Sequence, residues 1–461
     1  MVKDLGAMDA VAAVQAMREG AVTPRAYAEA LAERAAAARG LNALQCFDAA
    51  QMITQAEAAF AAHSGAALAG LPVVVKDNIN TTDYPTSGGT RALLAHRPAS
   101  DAGVVRAIKA AGGIVGAKAG MHELAFGITS NNAVTGAIHN PADPDLIPGG
   151  SSGGTAAAIA AGIFPAGLGT DTGGSCRIPA ALCGVVGFRP TTGRYDAGGV
   201  VPISHTRDTP GPLARSVRDI ALLDAVLSGA APADLPERSL AGLTLGVPRA
   251  VFFDGLDPVV ATATEAAIDT LAKAGARLVE VGFDAIWPHN EAFGFPVAFY
   301  EVMRDLPAYL ADYAPGVSFD ALVAGIGSPD VIGAISSQLG EAAMPEAAYR
   351  AAMEVHRPAM RQIYGQVFED KALDAIVFPT TPLPARPIGQ DETVELNGQQ
   401  LPTFPTYIRN TDLGSNLGAP GISLPCQGAG SLPVGIEFDA LPGQDRALLA
   451  LAHAAERALA R

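Results

Sequence analysis

Residues Gly149 to Arg177 read GGSSGGTAAAIAAGIFPAGLGTDTGGSCR. Two glycine-walled serine sites, Ser151-Ser152 and Ser175, flank a short alanine-rich segment. Glycine tolerates positive φ and lets backbone amides approach a ligand closely. A serine set among glycines therefore has N–H neighbours that can point at an anion. Two such serines close together supply a nucleophile, a proton shuttle and an oxyanion hole from one turn–helix–strand–turn unit. For GGSSGG alone, a pair of tight turns around a small helix is the simpler reading. The second serine site and a lysine upstream shift the balance toward chemistry. That lysine, Lys76, ends the run Leu71-Pro72-Val73-Val74-Val75, which has the pattern of a buried strand. Burial disfavours an ammonium and lowers its pKa, which makes a lysine a base near neutral pH. A snorkelling lysine, or one paired with Asp77, is the structural alternative.

Other motifs carry less. Gly149 to Gly153 formally matches G-x-S-x-G, but that nucleophile elbow needs a strand before it. The preceding Asn140 to Pro148 is too rich in proline to be a central strand. A phosphate loop needs G-K-[ST], and no lysine follows these glycines. His122-Glu123 invites an acid–base or metal reading. Without a second histidine at helical spacing it reads as a capping or packing turn. No His, Cys and carboxylate cluster has zinc-ligand spacing. Arg177-Ile178-Pro179-Ala180 reads as the opening of a helix, so Ser175 is expected near a helix N-terminus, where amides and dipole favour an anion.

The elements that must position these residues follow from local pattern. Ala7 to Ala62 reads as helical, with Thr23-Pro24 as N-cap and first helical residue. Helices are expected over 101–111, 155–161 and 217–227, and strands over 113–118 and 164–169. Arg207 to Arg215 reads as a loop leading into the 217–227 helix. Residues 232–240 look like a surface connection. The stretch 259–361 alternates helical segments with aromatic ones, and Trp287, Phe293, Phe295, Phe299 and Tyr300 concentrate there. Core packing is the default for them, and a substrate wall is the alternative. Buried strands are expected at 373–380, 421–425 and 433–438, with a closing helix over 444–459.

Composition sets outer bounds. The chain has 461 residues, 49% hydrophobic and 17% charged, which describes a folded, core-rich protein. A length of this kind accommodates about three domains on size alone. The formal net charge of −15 argues against nucleic acid or an anionic membrane surface as partner. The N-terminal residues lack a signal-peptide pattern and no apolar run is long enough to cross a bilayer, so a cytoplasmic protein is expected. The four cysteines, Cys46, Cys176, Cys183 and Cys426, have no CxxC spacing and read as reduced thiols. Cys176, beside Ser175, is the thiol of interest.

Taken together these residues resemble the amidase signature family, over nearly the whole chain and most strongly from Leu71 to Arg215. The resemblance is carried by Lys76 on its strand, Ser151 in GGSSGG and Ser175 in DTGGSCR, the two serines 24 residues apart. Cys176 departs from the pattern, since a branched aliphatic is more usual there. MHELAFGITSNN, IPGGSSGG, PAALCGVVGFRPTTGRY, SHTRDTPG and the late IGQD and APGISLP stretches look like the indoleacetamide hydrolase and mandelamide hydrolase branch. The resemblance implies a single α/β/α domain over 1–461, with a large mixed sheet and helices on both faces. Residues 1–65 would be an N-terminal helical segment packed on a catalytic core of 66–461. It further implies amide hydrolysis by a Ser–Ser–Lys triad. Ser175 would attack the carbonyl, and Ser151, after a cis peptide, would relay the proton to neutral Lys76. Backbone N–H groups of Thr172, Gly173, Gly174 and Ser175 would hold the oxyanion, with Ser152, Asp171 and Arg177 in support. No metal and no organic cofactor are implied, and the chain would act as a monomer or homodimer on a small-molecule amide. The expected substrate is an aryl-substituted primary amide of arylacetamide or indole-3-acetamide type, in a pocket including Met121, Phe299, Tyr300 and Tyr407. Carbamate, ester or anilide hydrolysis would use the same triad. The amidase subunit of a tRNA-dependent amidotransferase is a further alternative. A catalytically dead binding protein is disfavoured, because all three triad positions are filled.

Overall fold

Valine-rich and alanine-rich runs bounded by glycine and proline build one sheet with both faces covered. In the computed structural model, which describes residues 4–231, 235–426 and 432–460, the sheet has eleven strands. In chain order they are β1 (Leu44–Phe47), β2 (Pro72–Lys76), β3 (Ile114–Ala119), β4 (Ala166–Asp171), β5 (Val186–Arg189) and β6 (Thr209–Ala214). After these come β7 (Thr244–Val247), β8 (Arg277–Glu280), β9 (Ala375–Pro379), β10 (Gly421–Pro425) and β11 (Gly435–Asp439). Their order in space is β1-β3-β2-β4-β6-β5-β10-β11-β9-β7-β8. β3, β2 and β4 run parallel, as do β9, β7 and β8, while the strands between them pair antiparallel. The expected mixed α/β architecture in a single domain is therefore present.

Adjacent residues in a strand face opposite sides. Leu213 of β6 packs with Ala156, Ile159, Cys176 and Ala180, on the helices Gly153–Ala160 and Arg177–Cys183. Its neighbour Ala214 belongs to the larger core on the other side. That side is covered by the helices Gly103–Ala110, Val217–Leu227, Asp445–Leu459 and Pro258–Lys273, which pack against one another in sequence.

Several expectations are corrected. The N-terminal segment is not wholly helical, because Leu44–Phe47 pairs antiparallel with β3 as an edge strand of the sheet. The segment Thr209–Ala214, expected to be part of the Arg207 to Arg215 loop, is an interior strand. Proline cannot donate to a ladder. Here the second neighbour, β5, pairs only with Leu213 and Ala214, so Pro210 and Pro212 lie beyond its ladder. Thr244–Val247 and Arg277–Glu280 form a parallel pair that no sequence signal marked. Residues 235–240 run as a connection between the helix Val217–Leu227 and β7, and Pro232 to Asp234 of that expected connection lie outside the described residues.

Glycine fixes one contact of consequence. A Cβ at Gly154 would overlap the carbonyl oxygens of Ala43 and Gly120, where the helix Gly153–Ala160 meets β1 and β3. Overpacking against backbone costs about 1–3 kcal/mol. Gly154→Ala is expected to lower the urea-unfolding free energy by that amount, and an unchanged midpoint and slope would contradict this packing.

Candidate active site

β2 and β4 run parallel and adjacent, so their C-terminal ends lie side by side. One carries Lys76, the other Thr170 and Asp171. The Lys76 side chain is fully buried. Its Nζ lies 2.8 Å from Ser151 Oγ and 2.8 Å from Thr170 Oγ1, and Asn78 Nδ2 donates to the same Thr170 oxygen at 3.1 Å. Among the described residues Lys76 makes no ion pair. Burial takes its pKa from the ordinary lysine value down to about 7, with Cys176, Asp171 and Asp208 pulling more weakly the other way. At that pKa a neutral amine can donate to Thr170 and accept from the Ser151 hydroxyl.

The alternative pairing of Lys76 with Asp77 is absent. Asp77 faces the other side of the strand, toward the buried Lys118, 3.4 Å away. It also accepts hydrogen bonds from the Ser87 N–H and hydroxyl.

Ser151 follows the cis Gly150–Ser151 peptide. Its carbonyl accepts the His122 N–H at 3.1 Å. Ser152 ties this turn to the second serine site. Its N–H donates to the Ser175 carbonyl at 3.3 Å, and its hydroxyl exchanges hydrogen bonds with the Thr170 backbone. Asn140 braces the approach to the turn, donating to the carbonyls of Ile147 and Leu182.

The second turn, Thr172 to Ser175, hangs between Asp171 and the helix Arg177–Cys183. Asp171 accepts the Cys176 N–H, two donors of Arg177 and one of Arg189, all at 3.1 Å. Burial alone would raise its pKa, but the two guanidiniums hold it well below the usual carboxylate range. Thr172 Oγ1 donates to Asp208 at 2.6 Å, and Thr411 Oγ1 donates to the Gly173 carbonyl at 2.5 Å. Side chains at Gly173 and Gly174 would collide with Ile408 and Thr411, and Gly174 has φ +141°. Among the described residues, no group accepts a hydrogen bond from the N–H of Thr172, Gly173, Gly174 or Ser175. Backbone donors without an internal acceptor beside a serine can hold a developing negative charge. Cys176 is fully buried and burial pushes its thiol pKa up, so it stays protonated and packs as core.

Ser175, Thr172 and Gly173 line a cavity of about 260 Å³. Its walls are largely apolar, with Phe126, Phe295, Phe299 and Phe404 as the aromatic members. Phe295 and Phe299 stand one turn apart on the helix Gly294–Tyr313, rings stacked at 5.6 Å, and Phe404 lies 6.3 Å from Phe295. Of the expected pocket residues, Phe299 lines the cavity and three do not. Tyr300, next on the same helix, faces away and stacks on Tyr349 at 4.3 Å. Tyr407 is fully buried in a separate core with its hydroxyl on the Pro384 carbonyl. Met121 is fully buried behind the wall, against Ala125, Ile203 and Ala298. Phe293 is core as well. Sequence reasoning missed Phe126, Phe404, Arg207, Asp330 and Asp391, all on the cavity. Phe404 and Ile408 share one face of the helix Thr403–Ile408 at i, i+4 spacing, a signal that separates them from Tyr407.

His122 is a brace, as the packing-turn reading expected. Its Nδ1 accepts the Ser130 N–H at 3.2 Å and its Nε2 lies 2.9 Å from Asp330. Glu123 accepts the N–H groups of Gly327 and Ser328.

The chain belongs to the Amidase family, whose model matches residues 26–449. It is 46% identical over 433 residues to an indoleacetamide hydrolase of Rhizobium radiobacter, covering 94% of this chain and 92% of that protein. It is 41% identical over 468 residues to a mandelamide hydrolase of Pseudomonas putida, covering 96% and 90% of the two chains. A crystal structure of an amidase superposes with a TM-score of 0.86 at 35% identity, over 98% of this chain and 99% of that one.

Lys76 leaves a signature in stability. Its folded pKa is about 7, while an unfolded lysine titrates near 10.4. Between these values the unfolded chain binds more protons than the folded one, so stability rises with pH, by up to about 1.4 kcal/mol per pH unit. Lys76→Met has no proton to lose. The unfolding free energy of the unsubstituted protein minus that of Lys76→Met should therefore climb from pH 7 to pH 10. A difference that is flat with pH would contradict the depressed pKa.

Proposed function

We propose that the protein hydrolyses small aryl-substituted primary amides, of arylacetamide or indole-3-acetamide type, to the carboxylic acid and ammonia. The observation that carries this reading is the buried contact of Lys76 Nζ with Ser151 Oγ, without a carboxylate, one hydrogen-bonded turn from a serine that opens on a phenylalanine-walled cavity. Ser175 Oγ attacks the amide carbon. Its proton passes to Ser151 Oγ as the Ser151 proton passes to Lys76 Nζ. The N–H groups of the Thr172–Ser175 turn hold the oxyanion. The tetrahedral intermediate collapses, the relay returns the proton to the leaving nitrogen, and ammonia departs. Water attacks the acyl-enzyme by the same relay and frees the acid. The relatives named as indoleacetamide and mandelamide hydrolases support the aryl preference.

The apolar wall predicts the substrate series. Burying a phenyl-sized group is worth about 2–3 kcal/mol, so phenylacetamide should exceed acetamide in kcat/KM by about 30- to 150-fold. Indole-3-acetamide should share that advantage, and Phe295→Ala should remove much of it through KM. Equal kcat/KM for acetamide and the aryl amides would refute the aryl reading. A clear preference for carbamates, esters or anilides would change the named reaction. Ammonia release by the purified chain alone separates this reading from an amidotransferase subunit that needs a partner.

The relay predicts the pH profile. Lys76 must be neutral to accept a proton, so kcat/KM should rise with pH through about 7 and then level. Ser175→Ala should lose at least about 10³-fold in kcat while remaining folded. An alanine variant with near-normal kcat would show that another group is the nucleophile.

A further inference from the structure

The cavity beside Ser175 meets a second, more polar cleft of about 500 Å³. Asp330 and Asp391 line both spaces, whereas Thr172, Gly173 and Ser175 line the inner one alone. The two carboxylates therefore stand on the wall that the two spaces share. Glu392 adds a third carboxylate to the outer cleft, which among the described residues is lined by no Lys, Arg or His.

Among the described residues no lysine or arginine pairs with either carboxylate. Among the described residues Asp391 accepts from uncharged donors only, Thr129 Oγ1 and Asn131 Nδ2, each at 2.6 Å. Asp330 faces His122 Nε2 at 2.9 Å. Nδ1 of the same ring accepts the Ser130 N–H. Burial pulls the Asp330 pKa up, and the contact with His122 more than reverses it. Arg207, the cation on the inner wall, is itself occupied by Asp412 and the Gly294 carbonyl. An acyl group long enough to reach that shared wall thus meets the Asp391 and Asp330 carboxylates in a partly desolvated place, where like charges repel more strongly than in water.

We propose that Asp330 and Asp391 act as a charge filter on the substrate. Amides whose acyl group carries a distal carboxylate are rejected. Those with an ammonium in the same place are accepted at least as well as neutral ones. The filter rests on the proposed hydrolysis of aryl amides and narrows its substrate class to uncharged or cationic members.

The test compares kcat/KM at low ionic strength for phenylacetamides bearing para-methyl, para-carboxylate and para-aminomethyl groups. The carboxylate should fall at least 30-fold below the methyl compound, and the aminomethyl compound should equal or exceed it. Asp391→Asn and Asp330→Asn should each narrow the methyl-to-carboxylate ratio at least fivefold, and 0.5 M NaCl should narrow it in the unsubstituted enzyme by screening. Asp391→Asn keeps a hydrogen-bonding side chain of the same shape, so the comparison survives if Asp330→Asn does not fold. A carboxylate compound turned over within threefold of the methyl one overturns the filter while leaving aryl-amide hydrolysis intact. So does a ratio that neither substitution changes. No turnover of any phenylacetamide overturns both.

Discussion

Asp171 sits fully buried at the end of a central strand, and its charge is balanced by two equally buried arginines. Arg177 also reaches Glu437, the Thr411 carbonyl and Ser415. Removing one partner from such a buried pair leaves an uncompensated charge and typically costs 3–5 kcal/mol. The constraint is as much geometric as energetic. With Asp171 holding both Arg177 and the Cys176 N–H, residues Thr172 to Ser175 must close a short arc between fixed ends. The glycines are there because neighbouring side chains leave no room for a Cβ. The arc leaves four N–H groups without an acceptor among the described residues and sets Ser175 at a cavity wall.

The same economy of strand geometry separates two buried lysines. In the parallel register Val75 faces Lys118, and Lys76 faces Ala119. Residues one apart point to opposite faces, so Asp77 shares a side with Val75 and Lys118 and is turned from Lys76. Lys118 therefore has a carboxylate, three further oxygens nearby and a structural role. Lys76, one strand over, is left among hydroxyls. Burial depresses both amines, but only Lys76 is placed where a neutral amine can take a proton from a serine.

Much of the candidate site was legible in the chain because glycine and proline mark it. The GGSSGG and DTGGSCR turns, the Val-Val-Val-Lys strand and the helix Val217–Leu227 were readable from local pattern, and the structure places the three candidate triad residues on those elements. What escaped depended on tertiary context. Pro210 and Pro212 disguised an interior strand, because the absence of a second ladder at those positions is not a local property. The edge strand Leu44–Phe47 exists only by pairing with β3. In the cavity, Phe299 and Tyr300 are neighbours in sequence, and only the helix phase decides which ring faces the cavity. Met121 and Tyr407 had the right character for a pocket but were claimed by the core. Asp330 and Asp391 come from distant segments that fold onto the same wall, and no spacing in the sequence links them.

The central claim is that Ser175 is the nucleophile and that Lys76, through Ser151, makes it reactive. Covalent labelling tests both halves at once. The protein is treated with an arylmethylsulfonyl fluoride at pH 8, digested, and the adduct located by mass spectrometry. Its rate of formation is then compared with that of Lys76→Met. The account predicts a single adduct on the peptide bearing Ser175, formed at least 100-fold more slowly in the variant. An adduct on Ser151 or Cys176, or a rate indifferent to Lys76, would contradict it.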